Sequence, residues 1–254
     1  MDAVATAEQR PAEQPLDAPR ARVGLIIPSV NSMSEPQFNH YAPPGMGIHI
    51  ARARVAGPWK RPLPQMADEI TLSAQLLSDV GPDLIVFHCT DTSMTQGPQG
   101  EGRILDLVKG ATGIDAVATS RLVVEALQAL KMKKLVLLTP YASNKAVVDY
   151  LVATGHEVLA DVALGLKAQE FADVTPREWV ELAHQHDRPD ADGIFLSCTN
   201  TTQIDAIAEI ERTLGKPVVN SNQAVLWGCM RRLGGRLGAP PAMPQLGRLM
   251  QHLN

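Results

Sequence analysis

The feature that most constrains this chain is that it repeats itself. Gly24-Leu-Ile-Ile-Pro28-Ser-Val-Asn31 resembles Leu135-Val-Leu-Leu-Thr-Pro140-Tyr141-Ala-Ser-Asn144, each an apolar run that ends in a loop with Pro and Asn. Further on, Cys89-Thr90-Asp91-Thr92-Ser93 resembles Cys198-Thr199-Asn200-Thr201-Thr202, and each follows a short apolar run. Pro28 and Pro140 stand 112 positions apart, and Cys89 and Cys198 stand 109 apart. Two motif pairs at nearly one offset imply a duplicated supersecondary unit, and hence two related lobes.

The rest of the chain fits that frame. Strand-like runs are clearest at Val23–Ile27, Leu84–Phe87, Leu135–Leu138 and Gly193–Leu196, and weaker at Gly47–Arg54, Asp115–Val117, His156–Val162 and Pro217–Val219. They read as strands buried on both faces. Helical patterns lie between them. Met66, Ile70, Leu77 and Val80 share one face, broken by Ser73 and widened by Leu76. Leu122, Val123, Ala126, Leu127 and Leu130 mark a second helix. Thr175-Pro-Arg-Glu178 has the form of a capping box. Ile204, Ile207, Ala208 and Leu214 mark a helix stopped by Gly215, with Pro217 beyond.

Strand and helix alternation predicts a layered α/β fold of two Rossmann-like lobes related by a pseudo-twofold axis. Each lobe is a four-stranded parallel sheet flanked by helices, with the site in the cleft between them. The expected division is a disordered tail at 1–21, an N-terminal lobe of 22–117 completed by a returning helix within 220–254, and a C-terminal lobe of 118–219.

Composition narrows the function. The chain of 254 residues carries a formal net charge of -4, no basic cluster and few aromatics, so no nucleic-acid partner is expected. No apolar stretch approaches the roughly 18 residues of a membrane span, and the first twenty residues lack a signal-like apolar core. A cytoplasmic location with free thiols is expected for the three cysteines.

Cysteines ending buried strands are usually small hydrophobes. A structural thiol, however, has no reason to bring the same hydroxyl-rich loop with it twice. Ligands in parallel sheets bind at the carboxyl ends of strands, where Cys89 and Cys198 stand. Their loops open helices, a setting that favours carboxylates and lowers thiol pKa values. Cys229, in Trp227-Gly-Cys-Met230, has no such loop and is assigned to the core. No metal is expected, because close cysteine pairs are absent and His88, next to Cys89, points to the opposite face of its strand. His184 and His186 read as a polar helix end. Neither dinucleotide nor phosphate-loop fingerprints occur, and Gly97-Pro-Gln-Gly100-Glu-Gly102 reads as a loop or the opening of a helix. The expected chemistry is therefore cofactor-independent: proton abstraction beside a carboxylate, or thiolate addition to an activated double bond.

The segment Val23–Asn31, the two Cys-Thr loops and Leu138-Thr-Pro-Tyr141 resemble the Asp/Glu racemase superfamily. Within it they are most similar to the maleate cis–trans isomerase and arylmalonate decarboxylase branch, from about Val23 to the C-terminus. Asp190–Val219 and Asn220–Leu249 look especially like the decarboxylases. The resemblance implies that Cys89 and Cys198 are the two catalytic thiols, the first a nucleophile and the second an acid/base. It also implies that Asn31, Thr90, Tyr141 and Thr199 hold substrate carboxylates, with Asp91 and Asn200 in the same binding loops. On the residues alone, Asn31 reads equally as a turn Asn and Tyr141 as a loop Tyr beside proline.

The decarboxylases have glycine where Cys89 stands, so two thiols favour isomerisation or racemisation. The maleate isomerases carry a further Asn after the sixth strand, where this chain has Lys167-Ala168-Gln169. The amino-acid racemases have Cys-Asn-Thr-Ala-His, where this chain has Cys89-Thr-Asp-Thr-Ser93. The leading expectation is an isomerase of a small mono- or dicarboxylate, with maleate the best single substrate. An arylmalonate decarboxylase, an amino-acid or hydantoin racemase, and a carboxylate-binding protein without turnover are the alternatives. The resemblance leaves a homo-oligomer open.

Overall fold

The structure, a computed structural model, describes residues 18–253. Eight strands form two parallel sheets. The first comprises β1 (Ala21–Pro28), β2 (Met46–Ala53), β3 (Leu84–Phe87) and β4 (Ala116–Ala118), in the order β2-β1-β3-β4. The second comprises β5 (Lys134–Thr139), β6 (Glu157–Ala163), β7 (Gly193–Leu196) and β8 (Val218–Asn220), in the order β6-β5-β7-β8. The same order in both halves is what a duplicated unit requires. Between the strands run helices α1 (Ser34–Tyr41), α2 (Leu63–Ser78), α3 (Thr90–Thr95), α4 (Gly97–Thr112), α5 (Thr119–Ala129), α6 (Lys145–Ala153), α7 (Pro176–His186), α8 (Ile207–Leu214) and α9 (Ser221–Leu237).

All eight expected strands form, with ends shifted by a residue or two. The expected tail lies mostly outside the described residues. Ahead of Arg22, Ala21 already pairs with Met46, and Arg20 donates from its guanidinium to the Pro44 carbonyl at 2.9 Å. Gly97-Pro-Gln-Gly100 opens α4, and Thr175 and Glu178 form the expected capping box of α7.

Strand alternation divides the core. Val23, Leu25 and Ile27 of β1, with Leu84 and Val86 of β3, join one large core that also holds β5, β7, α5 and α9. Ile26, Ile85 and Phe87 point the other way, into a smaller core under α2 and α4. This is the two-residue period of a strand whose two faces are both covered. On α2, Met66, Ile70 and Leu77 are buried as their spacing predicts. Leu76 is not part of that face: it is 60% exposed, and Val80 lies beyond the helix end.

The C-terminal helix α9 packs along α5 and against β1 and β8. Gly228 permits the approach, since a Cβ built there would lie 2.5 Å from Leu122 Cδ2. Cys229 is fully buried in this layer, as its sequence context predicts. Among the described residues no helix is long and apolar enough to cross a membrane.

Candidate active site

Cys89 and Cys198 follow the third strand of their respective sheets, and both line one cavity of about 330 Å³ between the lobes. All the other site residues expected from sequence line it too, namely Asn31, Thr90, Asp91, Tyr141, Thr199 and Asn200. Cys89 is extended backbone (φ -149°, ψ 104°) immediately before α3, so its thiol leaves the strand end just as the chain turns into helix. His88, one position earlier, is fully buried on the other face. Its Nδ1 lies 3.0 Å from Thr119 Oγ1 and its ring packs edge-on against Phe38.

The thiols have different surroundings. Cys89 Sγ donates to Thr92 Oγ1 at 3.1 Å, and the Thr92 hydroxyl donates to the Val55 carbonyl at 2.7 Å. Cys198 Sγ accepts the Asn200 N–H at 3.3 Å and faces the Tyr141 hydroxyl. The helix-opening loops do not produce a low thiol pKa. Burial pushes Cys89 up to about 11, helped by the Asp91 charge and opposed by Thr92 and Lys60. It pushes Cys198 up to about 12, opposed by the Asn200 N–H and Tyr141. In an enclosed site the lost hydration of a thiolate outweighs nearby N–H groups. The two thiols also feel each other: a charge on Cys89 raises Cys198 further. That coupling favours one thiolate facing one thiol.

Asn31 and Asn200, both expected at the binding site, make hydrogen bonds between the lobes. Asn31 Nδ2 donates to Thr199 Oγ1, to the Thr199 carbonyl and to Ser34 Oγ, while its Oδ1 accepts the Met33 and Ser34 N–H groups. Asn200 Oδ1 accepts the Ser32 N–H, and its Nδ2 donates to the Val30 and Ala168 carbonyls. These two side chains stitch the lobes together at the cavity rim. The repeated motif has diverged here, because Asn144, the counterpart of Asn31, stays in its own lobe and bonds Thr139 and Asp161. Thr199 Oγ1 accepts from Asn31, and among the described residues its hydroxyl donates to no protein group. Tyr141 is buried and held protonated, its pKa driven up by burial and by the charges around it.

Three residues of the site carried no recognisable sequence signal or were not read for it. Lys60 reaches over the cavity from the loop after β2 and places Nζ 2.7 Å from both oxygens of Asp91. This ion pair makes up the charged side chains of the cavity lining. Phe171, in the loop after β6, lies against Tyr141 with ring centroids 5.7 Å apart. Ser221 Oγ accepts from the Thr90 hydroxyl at 2.8 Å and from the Cys198 N–H at 3.2 Å. It is the first residue of α9, whose capping box of Asn220 and Gln223 was legible in sequence as an N-cap pattern. Among the described residues no group of three or more His, Cys, Asp or Glu side chains could hold a metal ion.

Two parallel-sheet lobes with a cysteine at the matching strand end of each, both opening on one cavity, define a class of two-lobed α/β proteins with paired thiols. Within that class, the chain belongs to the arylmalonate decarboxylase family, whose family model matches residues 44–249. It is similar to the maleate isomerase of Geobacillus stearothermophilus, with 26% identity over 238 residues, 87% of this chain and 95% of the relative. It is 32% identical over 181 residues to the arylmalonate decarboxylase of Bordetella bronchiseptica, covering 69% of this chain and 74% of that protein. The solved structure of Nocardia farcinica maleate cis–trans isomerase bound to TRIS superposes with a TM-score of 0.81 at 25% identity. The match covers 91% of this chain and 97% of that one.

Proposed function

We propose that this protein is a cofactor-independent cis–trans isomerase of a small cis-enedioate, of which maleate is the simplest. One observation carries the reading: both thiols of the duplicated motif line the same cavity. The similarity to maleate isomerases over most of the chain supports it.

In this mechanism Cys89 enters as the thiolate, its proton released to solvent. It adds to one alkene carbon, forming a C–S bond as the π pair moves to the neighbouring carbon. Cys198 delivers its proton there, and the former double bond is now single and rotates. Cys198 then takes a proton back from that carbon, the C–S bond breaks with its electron pair returning to Cys89, and the trans alkene leaves with Cys89 again a thiolate and Cys198 again a thiol. The mutual repulsion of two thiolates keeps Cys198 protonated while Cys89 is ionised. Tyr141, a permanent donor, holds the Cys198 sulfur in place and stabilises it when it is briefly charged. The Thr199 hydroxyl is oriented by Asn31 and receives a substrate carboxylate. Asn31, Asn200 and Thr90 act by holding the loops, and Asp91 by anchoring Lys60.

Proton NMR in D₂O with maleate, aspartate, a hydantoin and an arylmalonate tests the reading in one pass. Conversion of maleate to fumarate is expected. Deuterium exchange at an α-carbon without isomerisation would replace it with racemisation. A second reading rests on the 32% identity to the Bordetella arylmalonate decarboxylase. In it Cys198 protonates an enolate after CO₂ leaves, and CO₂ release from the arylmalonate by a Cys89→Ala variant is its signature.

A further inference from the structure

We infer that Lys60 receives the second carboxylate of the substrate and so selects for a dianion; this rests on the isomerase reading above. In that reading the Thr199 hydroxyl takes one carboxylate of the enedioate, and the other has no partner assigned. Among the described residues, Lys60 is the only cationic side chain in the cavity lining. Burying a carboxylate beside a thiolate is costly unless a charged or strong donor pairs with it.

The ammonium is placed for this. Lys60 follows a short 3-10 turn, Gly57–Trp59, and its backbone N–H donates to the Gly57 carbonyl at 3.2 Å. A Cβ built on Gly57 would lie 3.1 Å from Ala168 Cβ, so the turn is seated against the loop after β6. The far end of the side chain is held by Asp91, two residues beyond Cys89. The Asp91 charge acts on Cys89, Cys198 and Tyr141 alike, so the ammonium it carries is within electrostatic reach of the reacting groups.

The ammonium can take a new acceptor without leaving Asp91. Its donors go to the two Asp91 oxygens, both at 2.7 Å, and to Thr95 Oγ1 at 2.8 Å. Thr95 is exposed, so water replaces that last bond at little cost. A substrate carboxylate in its place leaves the ammonium between two carboxylates. The cation is nearer to each than they are to one another, so attraction exceeds repulsion. The side chains of Lys60 and Asp91 are 31% and 27% exposed, so neither is sealed off from an incoming ligand.

The division suits the proposed chemistry. Cys89 adds to one alkene carbon, and the electron pair moves to the other, where it is conjugated with that carbon's carboxylate. That carboxylate belongs on the Cys198 side, with Thr199. The carboxylate on the sulfur-bearing carbon belongs on the Cys89 side, with Lys60.

The test is isothermal titration calorimetry with succinate, a dicarboxylate that has no double bond to react. The wild type is compared with Lys60→Met, Lys60→Arg and the double variant Lys60→Met/Asp91→Asn. The double variant removes the ammonium together with its partner charge, so the net charge of the cavity stays as it was. Lys60→Met and the double variant are each expected to raise Kd by about tenfold or more, the usual effect of losing a hydrogen bond to a charged group. Lys60→Arg, which keeps the charge, is expected to retain most of the affinity. Wild-type affinity in the double variant would mean that Lys60 only neutralises Asp91, and overturns the inference. Equal losses in Lys60→Arg and Lys60→Met, or no succinate binding by the wild type, overturn it as well. None of these results bears on the isomerase reading, which conversion of maleate to fumarate decides separately.

Discussion

The Thr90 hydroxyl donates to Ser221 Oγ at 2.8 Å, and the same oxygen accepts the Cys198 N–H, so one side chain joins the loops of both thiols. Thr90 belongs to the first lobe and Cys198 to the second. Their separation is therefore set by a residue of α9, the helix that returns across both sheets.

Ser221→Ala should lower kcat by about tenfold to a hundredfold with little change in KM, because small misplacement of reacting groups is costly. It also leaves the buried Cys198 N–H unpaired, at a cost of roughly 1–3 kcal/mol in stability. Steady-state kinetics and denaturant unfolding measure the two effects separately. Unchanged kcat would remove Ser221 as a positioning residue.

The three thiols should separate cleanly. Cys89→Ser and Cys198→Ser are each expected to reduce turnover by about a thousandfold or more, with the fold kept, since a nucleophile and its proton partner act as a unit. Cys229→Ala, in the core layer between α5 and α9, should keep activity and lower the unfolding midpoint instead. Turnover assays and thermal unfolding on the three variants check this.

Asp91 and Lys60 pull the Cys89 thiol in opposite directions. Removing the negative charge in Asp91→Asn should move the pH dependence of thiol alkylation to lower pH, and Lys60→Met should move it higher. In the ligand-free wild type, iodoacetamide should react slowly at neutral pH and faster as pH rises toward about 11. Rates followed by mass spectrometry across pH resolve all three profiles. A fast reaction at neutral pH would contradict the buried, protonated state.

Acid should weaken the fold through His88. Burial lowers its pKa from the ordinary 6.5 to about 3, and Asn222 only partly offsets this. A depressed folded pKa means the unfolded chain binds the proton first. His88 therefore contributes stability above pH 6.5 that is lost as pH falls toward 3. Unfolding free energies across that range should fall with a slope that His88→Gln reduces, whatever the variant's stability at neutral pH.

Local pattern made much of this legible. The short apolar runs marked every strand, and the duplicated Cys-Thr loops singled out Cys89 and Cys198 from Cys229. Thr175 and Glu178 announced a helix start through neighbours in sequence. The mistake over Leu76 has a simple cause: helical period tells which residues share a face, but not how wide a face the neighbouring elements cover.

What sequence could not give was anything that depends on two distant segments meeting. Lys60 was one lysine in a loop until the fold set it on Asp91. That Asn31 and Asn200 bond to groups of the opposite lobe could not be read from their own loops. The thiols were expected to be acidic from their own loops, and burial in the folded protein reversed the direction. The sequence by itself determined the paired cysteines and the parallel lobes that carry them, because strand period and loop chemistry are local. Only the tertiary structure decided which groups are dry and which donors are spent, because desolvation is a property of everything that surrounds an atom.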